Sequence, residues 1–96
     1  MKIREIIWLK HFLDKIEDKH GVTHHEVEQI FANRARIQFG ARGDIRGEDL
    51  YRAIGQTDGG RYLTVFFIYK RFGRALVISA REATKRERQH YAKKKF

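Results

Sequence analysis

At 96 residues and 11.4 kDa the chain has the length of one domain, with room for a small core but none for a catalytic unit beside a regulatory one. Its balance of 42% hydrophobic and 34% charged residues excludes a fibrous or wholly disordered chain, and the absence of cysteine excludes disulfides, thiolate zinc sites and thiol nucleophiles. With 21 Lys and Arg against 12 Asp and Glu, the formal charge is +9, which favours a polyanionic partner.

The excess charge is uneven. Residues 1–33 carry five basic and six acidic side chains, residues 34–80 nine and four, and residues 81–96 seven and two. The longest nearly unbroken apolar run, Tyr62 to Tyr69, is far short of the roughly 20 residues a membrane-crossing helix needs. The first residues, Met1-Lys2-Ile3-Arg4-Glu5, lack the apolar core and cleavage site of a secretory signal, so the expected compartment is the cytoplasm. No linker composition or repeat appears, and residues 1–96 read as a single domain.

Ile3 to Trp8 is predicted to open the chain as a short strand. Leu9, Phe12, Leu13 and Ile16 then recur at helical spacing, with Gly21 as the stop. A second helix is predicted to start at Thr23, which caps it while Glu26 returns the hydrogen bond and Val22 packs on Val27. That helix fades near Asn33. From Ala35 the period is two: Ala35, Ile37 and Phe39 face one way, Arg34, Arg36 and Gln38 the other. Residues 40–47, with three glycines, read as a mobile loop. Leu50 to Thr57 and Arg61 to Lys70 are predicted strands joined at Asp58-Gly59-Gly60, where Asp-Gly supplies the positive φ of a tight hairpin. Phe72-Gly73 turns into a strand from Ala75 to Ser79, and the apolar character of the last two strands places them inside the sheet with both faces covered. Ser79 with Glu82, or Thr84 with Glu87, caps a basic last helix running to about Tyr91. The fold class is α+β: β-α-α-β-β-β-β-α with a twisted, mostly antiparallel sheet.

The chemistry such a chain can hold is narrow. His20, His24 and His25 with Glu26 and Glu28 do not make a metal site, because Gly21 and the Thr23 cap break the helix between them. Neither a nucleotide-binding glycine loop nor a Gly-x-Ser-x-Gly elbow is present. Metal-free acid–base cleavage of RNA remains, since RNA carries its own 2′-hydroxyl nucleophile and needs positioned cations and proton transfer. His20 could move the proton, with Glu48 or Tyr51 assisting and Arg81 on the phosphate. The structural alternatives are that His20 only closes a helix and that Arg81 pairs with Glu82 or Glu87. Arginines 34, 36, 42 and 46 beside the glycine-rich loop suit phosphate contacts.

Lys19-His20-Gly21-Val22, Glu48-Asp49-x-Tyr51, Ile54-Gly55, Gly60-Arg61 and, most specifically, Ile78-Ser79-Ala80-Arg81-x-Ala83-Thr84-x-Arg86-Glu87-Arg88-x-x-Tyr91 resemble the BrnT family of toxins over nearly the whole chain. The resemblance implies a RelE-like fold, RNA cleavage that is either independent of the ribosome or assisted by it, and a ribbon-helix-helix antitoxin of the BrnA kind that covers the basic face, with a dimer in that complex; cleavage without metal or cofactor is the reading of the residues above. Carried over, the catalytic residues are His20, Glu48 and Arg81; the residues expected to bind RNA are Tyr51, Arg61 and Arg86 of the matching blocks, Arg52, and Arg34 and Arg36, whose arginine-rich segment departs from the family pattern. The chain departs from the family pattern where Leu50 and Leu76 replace the usual arginines; Arg52, on the same face as Leu50, is the expected local substitute. The alternative reading is a catalytically silent relative that binds RNA or an antitoxin.

Overall fold

Where apolar residues recur every third or fourth position the chain coils, and where they alternate it extends. The computed structural model, which describes residues 1–93, has the elements in that order. They are β1 (Glu5–Ile7), α1 (Lys10–His20), α2 (His24–Ala32), β2 (Arg36–Ala41), β3 (Leu50–Gln56), β4 (Tyr62–Lys70), β5 (Arg74–Glu82) and α3 (Lys85–Lys93). The strands form one sheet in the order β1-β5-β4-β3-β2, antiparallel except that β1 lies parallel to β5.

The local signals act as their chemistry requires. Gly21, at φ +60°, ends α1 and donates its N–H to the Glu17 carbonyl. The Thr23 hydroxyl accepts from the Glu26 N–H at 3.2 Å, the Glu26 carboxylate accepts from the Thr23 N–H at 3.0 Å, and Val22 and Val27 are both fully buried. Two turn readings are corrected. In the β3–β4 hairpin the positive φ falls on Gly60, at +91°, and not on Asp58 or Gly59. Thr57 and Arg61 close the turn around a three-residue loop, whose last residue is the one that must be left-handed. The glycine-rich segment is also shorter than expected, because β2 runs on to Ala41 past a bulge and Asp49 accepts the Gly43 N–H at 3.0 Å.

Strand alternation divides the sheet into two unlike faces. Leu63, Val65, Phe67, Ala75, Val77 and Ala80 pack with Ile16, Val22, Val27 and Ile30 of α1 and α2 in the main core. The opposite face presents Gln38, Arg52, Thr64, Phe66 and Arg81, and α3 lies across it near β3. Cover on this second face is incomplete, contrary to the sequence expectation. Beyond α3 the row Leu50, Ile68, Leu76, aligned across β3, β4 and β5, is only half-buried. The helices are too short and too few to roof both sides of a sheet of this width.

Candidate functional site

The capping box of α3 sets the geometry of the open face. Thr84 and not Ser79 is the cap: its N–H donates to Glu87 at 2.8 Å and its hydroxyl accepts from the Glu87 N–H at 3.1 Å. This fixes the helix phase so that Glu87, His90 and Tyr91 face the sheet, and Glu87 is only 7% exposed. A buried carboxylate needs partners. Arg81 supplies a two-pronged pair, Nη1 to Oε1 at 2.8 Å and Nη2 to Oε2 at 3.0 Å, while Thr64 donates its hydroxyl at 2.9 Å and Arg52 its Nη1 at 3.2 Å. The Arg81 hydrogen bonds, with help from Thr84 and Thr64 and against the burial, hold the Glu87 carboxyl down at about 2.

From Arg52 the network continues outward. Its Nε donates to Gln38 Oε1 at 2.8 Å. Arginine can only donate, so this bond orients the amide and turns Gln38 Nε2 toward His90 Nε2, with which it is hydrogen-bonded. An amide nitrogen can only donate, so in this contact His90 Nε2 is the acceptor. Arg52, Thr84, Arg86, Glu87 and His90 line an open cleft of about 400 Å³. Three guanidiniums, of Arg52, Arg81 and Arg86, stand against the one carboxylate of Glu87, so the cleft keeps a net positive charge. It can hold an anion at Arg52 and Arg86 beside an imidazole lone pair.

The side chains singled out in the sequence do not all meet there. His20 is exposed at the end of α1, in the layer on the other face of the sheet, where its carbonyl accepts from Arg61 Nη2 at 3.3 Å. Glu48 binds Lys70 at 2.7 Å. Lys70 is six residues along β4 from Thr64, about 20 Å at the usual rise per strand residue. Arg81 is in the network, but both terminal nitrogens are engaged by Glu87, the pairing that the structural alternative named. Among the residues expected to bind RNA, Arg52 and Arg86 line the cleft, and Arg36 shares its face two positions before Gln38. Arg34 lies exposed in the turn after α2 at φ +61°. Arg61 is a clamp between β4 and the α1–α2 turn, bonded to Gly21 O at 2.9 Å and to Glu26 at 3.1 Å. Tyr51 is on the helix-covered face, stacked on Phe67 with centroids 5.9 Å apart and edge-on to Phe39.

Gln38, Thr64 and His90 are site residues that the sequence reading did not name as such, and Glu87 entered it only as a cap and as the structural partner of Arg81. The signal for two of them was available, since a cap at Thr84 puts positions 87 and 90 on one helix face. Gln38 and Thr64 required the strand register. Among the described residues no three His, Cys, Asp or Glu side chains are grouped as metal ligands.

The chain has relatives among known proteins. A family model described as the ribonuclease toxin BrnT of type II toxin–antitoxin systems matches residues 13–87. The crystal structure of the Brucella abortus ribonuclease toxin BrnT aligns with a TM-score of 0.61 and 23% identity, covering 84% of this chain and 97% of that one, which shows a shared fold. No curated protein matches by sequence.

Proposed function

We propose, for a chain that belongs to the BrnT family of ribonuclease toxins of type II toxin–antitoxin systems, that the cleft between α3 and the sheet cuts RNA without a metal or cofactor. The observation that supports this reading is the meeting of Arg52, Arg86 and the accepting nitrogen of His90 in one positively charged cleft. Arg52 and Arg86 hold the scissile phosphate. Arg81 and Glu87 keep Arg52 in place. The Gln38 amide occupies the donor position that a 2′-hydroxyl would take, so a bound ribose displaces it and gives its proton to His90 Nε2. The freed 2′-oxygen attacks the phosphorus, the P–O5′ bond breaks, and the departing 5′-oxygen takes up a proton that the His90 imidazolium returns through solvent water, so the products are a 2′,3′-cyclic phosphate and a 5′-hydroxyl, with the guanidiniums balancing the charge that builds on the phosphoryl oxygens.

As a type II toxin the protein has an antitoxin partner. Our reading gives that partner the ribbon-helix-helix form and seats it over the same basic face, in a dimeric complex in the cytoplasm, with residues 1–96 acting as one domain. A second reading, a silent relative that binds RNA or antitoxin only, is favoured by the engagement of both Arg81 terminal nitrogens and by Leu50 and Leu76 beside Ile68.

Labelled single-stranded RNA incubated with the purified protein in EDTA separates the two. Cyclic-phosphate fragments are expected, and His90→Asn is expected to slow their formation by roughly 10²- to 10⁴-fold while binding of 2′-O-methyl RNA stays unchanged. Intact RNA would support the silent relative, and cutting by H90N at the wild-type rate would remove His90 from the mechanism.

A further inference from the structure

The open face ends, away from the cleft, in a second group of cations. Arg46, Gly47, Lys70, Arg71 and Arg74 line a cavity of about 580 Å³. Lys70 is balanced by Glu48 at 2.7 Å, Arg74 donates its Nε to the Arg71 carbonyl at 3.0 Å, and Glu5 lies opposite Arg74 in the β1–β5 register. Arg46 and Arg71 have no carboxylate partner among the described residues. Beside them in the chain Phe72 is 81% exposed, the most exposed of the large apolar side chains among the described residues, and its φ is +66°. That backbone conformation disfavours a bulky side chain, so the surrounding structure must hold it.

The holding groups are visible. The Gly73 carbonyl accepts from the N–H of Arg4 at 2.7 Å and of Glu5 at 3.2 Å, which pins the β4–β5 turn to the N-terminal segment. The fit is so close that a Cβ at Gly73 would lie 2.9 Å from both Arg4 Cγ and the Lys2 carbonyl oxygen. A large ring is thus carried into solvent on a fixed turn, next to arginines without carboxylate partners.

We propose that this hairpin tip is a second binding site for single-stranded RNA, in which one unpaired base stacks on Phe72 and the adjoining phosphates enter the cavity of Arg46, Arg71 and Arg74. An unpaired nucleotide offers both an aromatic face and a phosphate, whereas a duplex keeps its bases stacked within itself and an acidic peptide gives the ring nothing specific. The inference rests on the reading of the α3 cleft as an RNA site. Thr64 and Lys70 mark the two ends of one strand face about 20 Å apart, so a strand of several nucleotides can occupy both, crossing the half-buried row of Leu50, Ile68 and Leu76.

The test uses the whole protein and a 2′-O-methyl single strand of about twelve nucleotides, which lacks the attacking hydroxyl, with affinity read by fluorescence anisotropy at several salt concentrations. Phe72→Gly, which relieves the backbone while removing the ring, is expected to weaken binding by roughly five- to a hundredfold with no fall in melting temperature. The double variant Arg46→Gln, Arg71→Gln is expected to flatten the log–log salt slope by about 0.7 for each phosphate it no longer neutralises. Binding of the same sequence as a duplex should be weaker than that of the single strand and indifferent to F72G. Unchanged single-strand affinity in F72G, an equal loss on the duplex, or a loss confined to antitoxin binding would each overturn the proposal. Its fate is separable from that of the cleft: wild-type protein that binds through the tip yet never cuts refutes the catalytic reading alone, and wild-type protein that cuts with no dependence on Phe72 refutes this one alone.

Discussion

Glu87 has four hydrogen-bonding partners at once, and its energetics follow from burial with full pairing. Its carboxyl titrates at about 2 in the folded protein, against an ordinary value of 4.5. A carboxylate depressed in the folded state stabilises it fully above the unfolded value, and that contribution fades as pH falls from about 4.5 through 2. By linkage it amounts to a figure on the order of 3 kcal/mol. Glu87→Gln is therefore expected to lower stability near neutral pH and to flatten the acid limb of a urea-melt series between those limits; an unchanged acid limb would show that the carboxylate is not held this way. The same pairing alters what can be learned from Arg81. Replacing it by Ala strands a buried charge, which typically costs about 3–5 kcal/mol, so loss of activity in R81A would not distinguish a phosphate ligand from a structural partner. Arg86, exposed and outside that network, is the cleaner probe.

Two helix starts use the same Thr-x-x-Glu chemistry for different ends. At α2 the reciprocal bonds of Thr23 and Glu26 set a helix whose buried face is Val27 and Ile30, and Arg61 ties Glu26 to the sheet. At α3 the cap residue Glu87 is also the centre of the site. Thr23→Ala and Thr84→Ala should each cost about 1 kcal/mol by thermal or urea melting, as cap removals do. Only T84A is expected to reduce RNA cleavage as well, because Glu87 is then less firmly held at the helix start and lets Arg52 drift. Equal cleavage by the two variants would argue against α3 as the organiser of the site.

Across the whole molecule the charge is sorted by face. In the helix layer Glu26 ties α2 to Arg61 at the edge of the sheet and Asp14 pairs with Lys10 on the outer surface of α1, while the open face keeps arginines at both ends around a half-buried apolar middle. Polyanion binding to such a face is driven by counterion release, so affinity for single-stranded RNA should fall with salt with a log–log slope of about 0.7 for each phosphate engaged. Arg86→Gln should flatten it by about that much and change stability by no more than about 0.5 kcal/mol. A slope untouched by R86Q would place the phosphate elsewhere. An antitoxin covering the same face should abolish this salt-dependent binding.

The element order, the Thr23 capping box, the Gly21 stop and the alternation of Ile37 with Gln38 were legible because they depend on residues within a turn or two of each other. The resemblance in the Ile78–Tyr91 block was legible for the same reason: it is a contiguous string. What the sequence could not supply was which strand positions lie side by side. Register alone puts Gln38 next to Arg52 and Arg52 within reach of Glu87, and strand alternation separates Tyr51 from Arg52 and His20 from Arg81. Phe72 shows the same limit, since its strained φ is imposed by Arg4 and Glu5 from the other end of the chain. Local composition thus determined a basic α+β chain with these helices and strands. Long-range hydrogen bonding and the alternation of strand faces decided which of its charges meet, because a one-residue change of register would send every side chain of a strand to the opposite side.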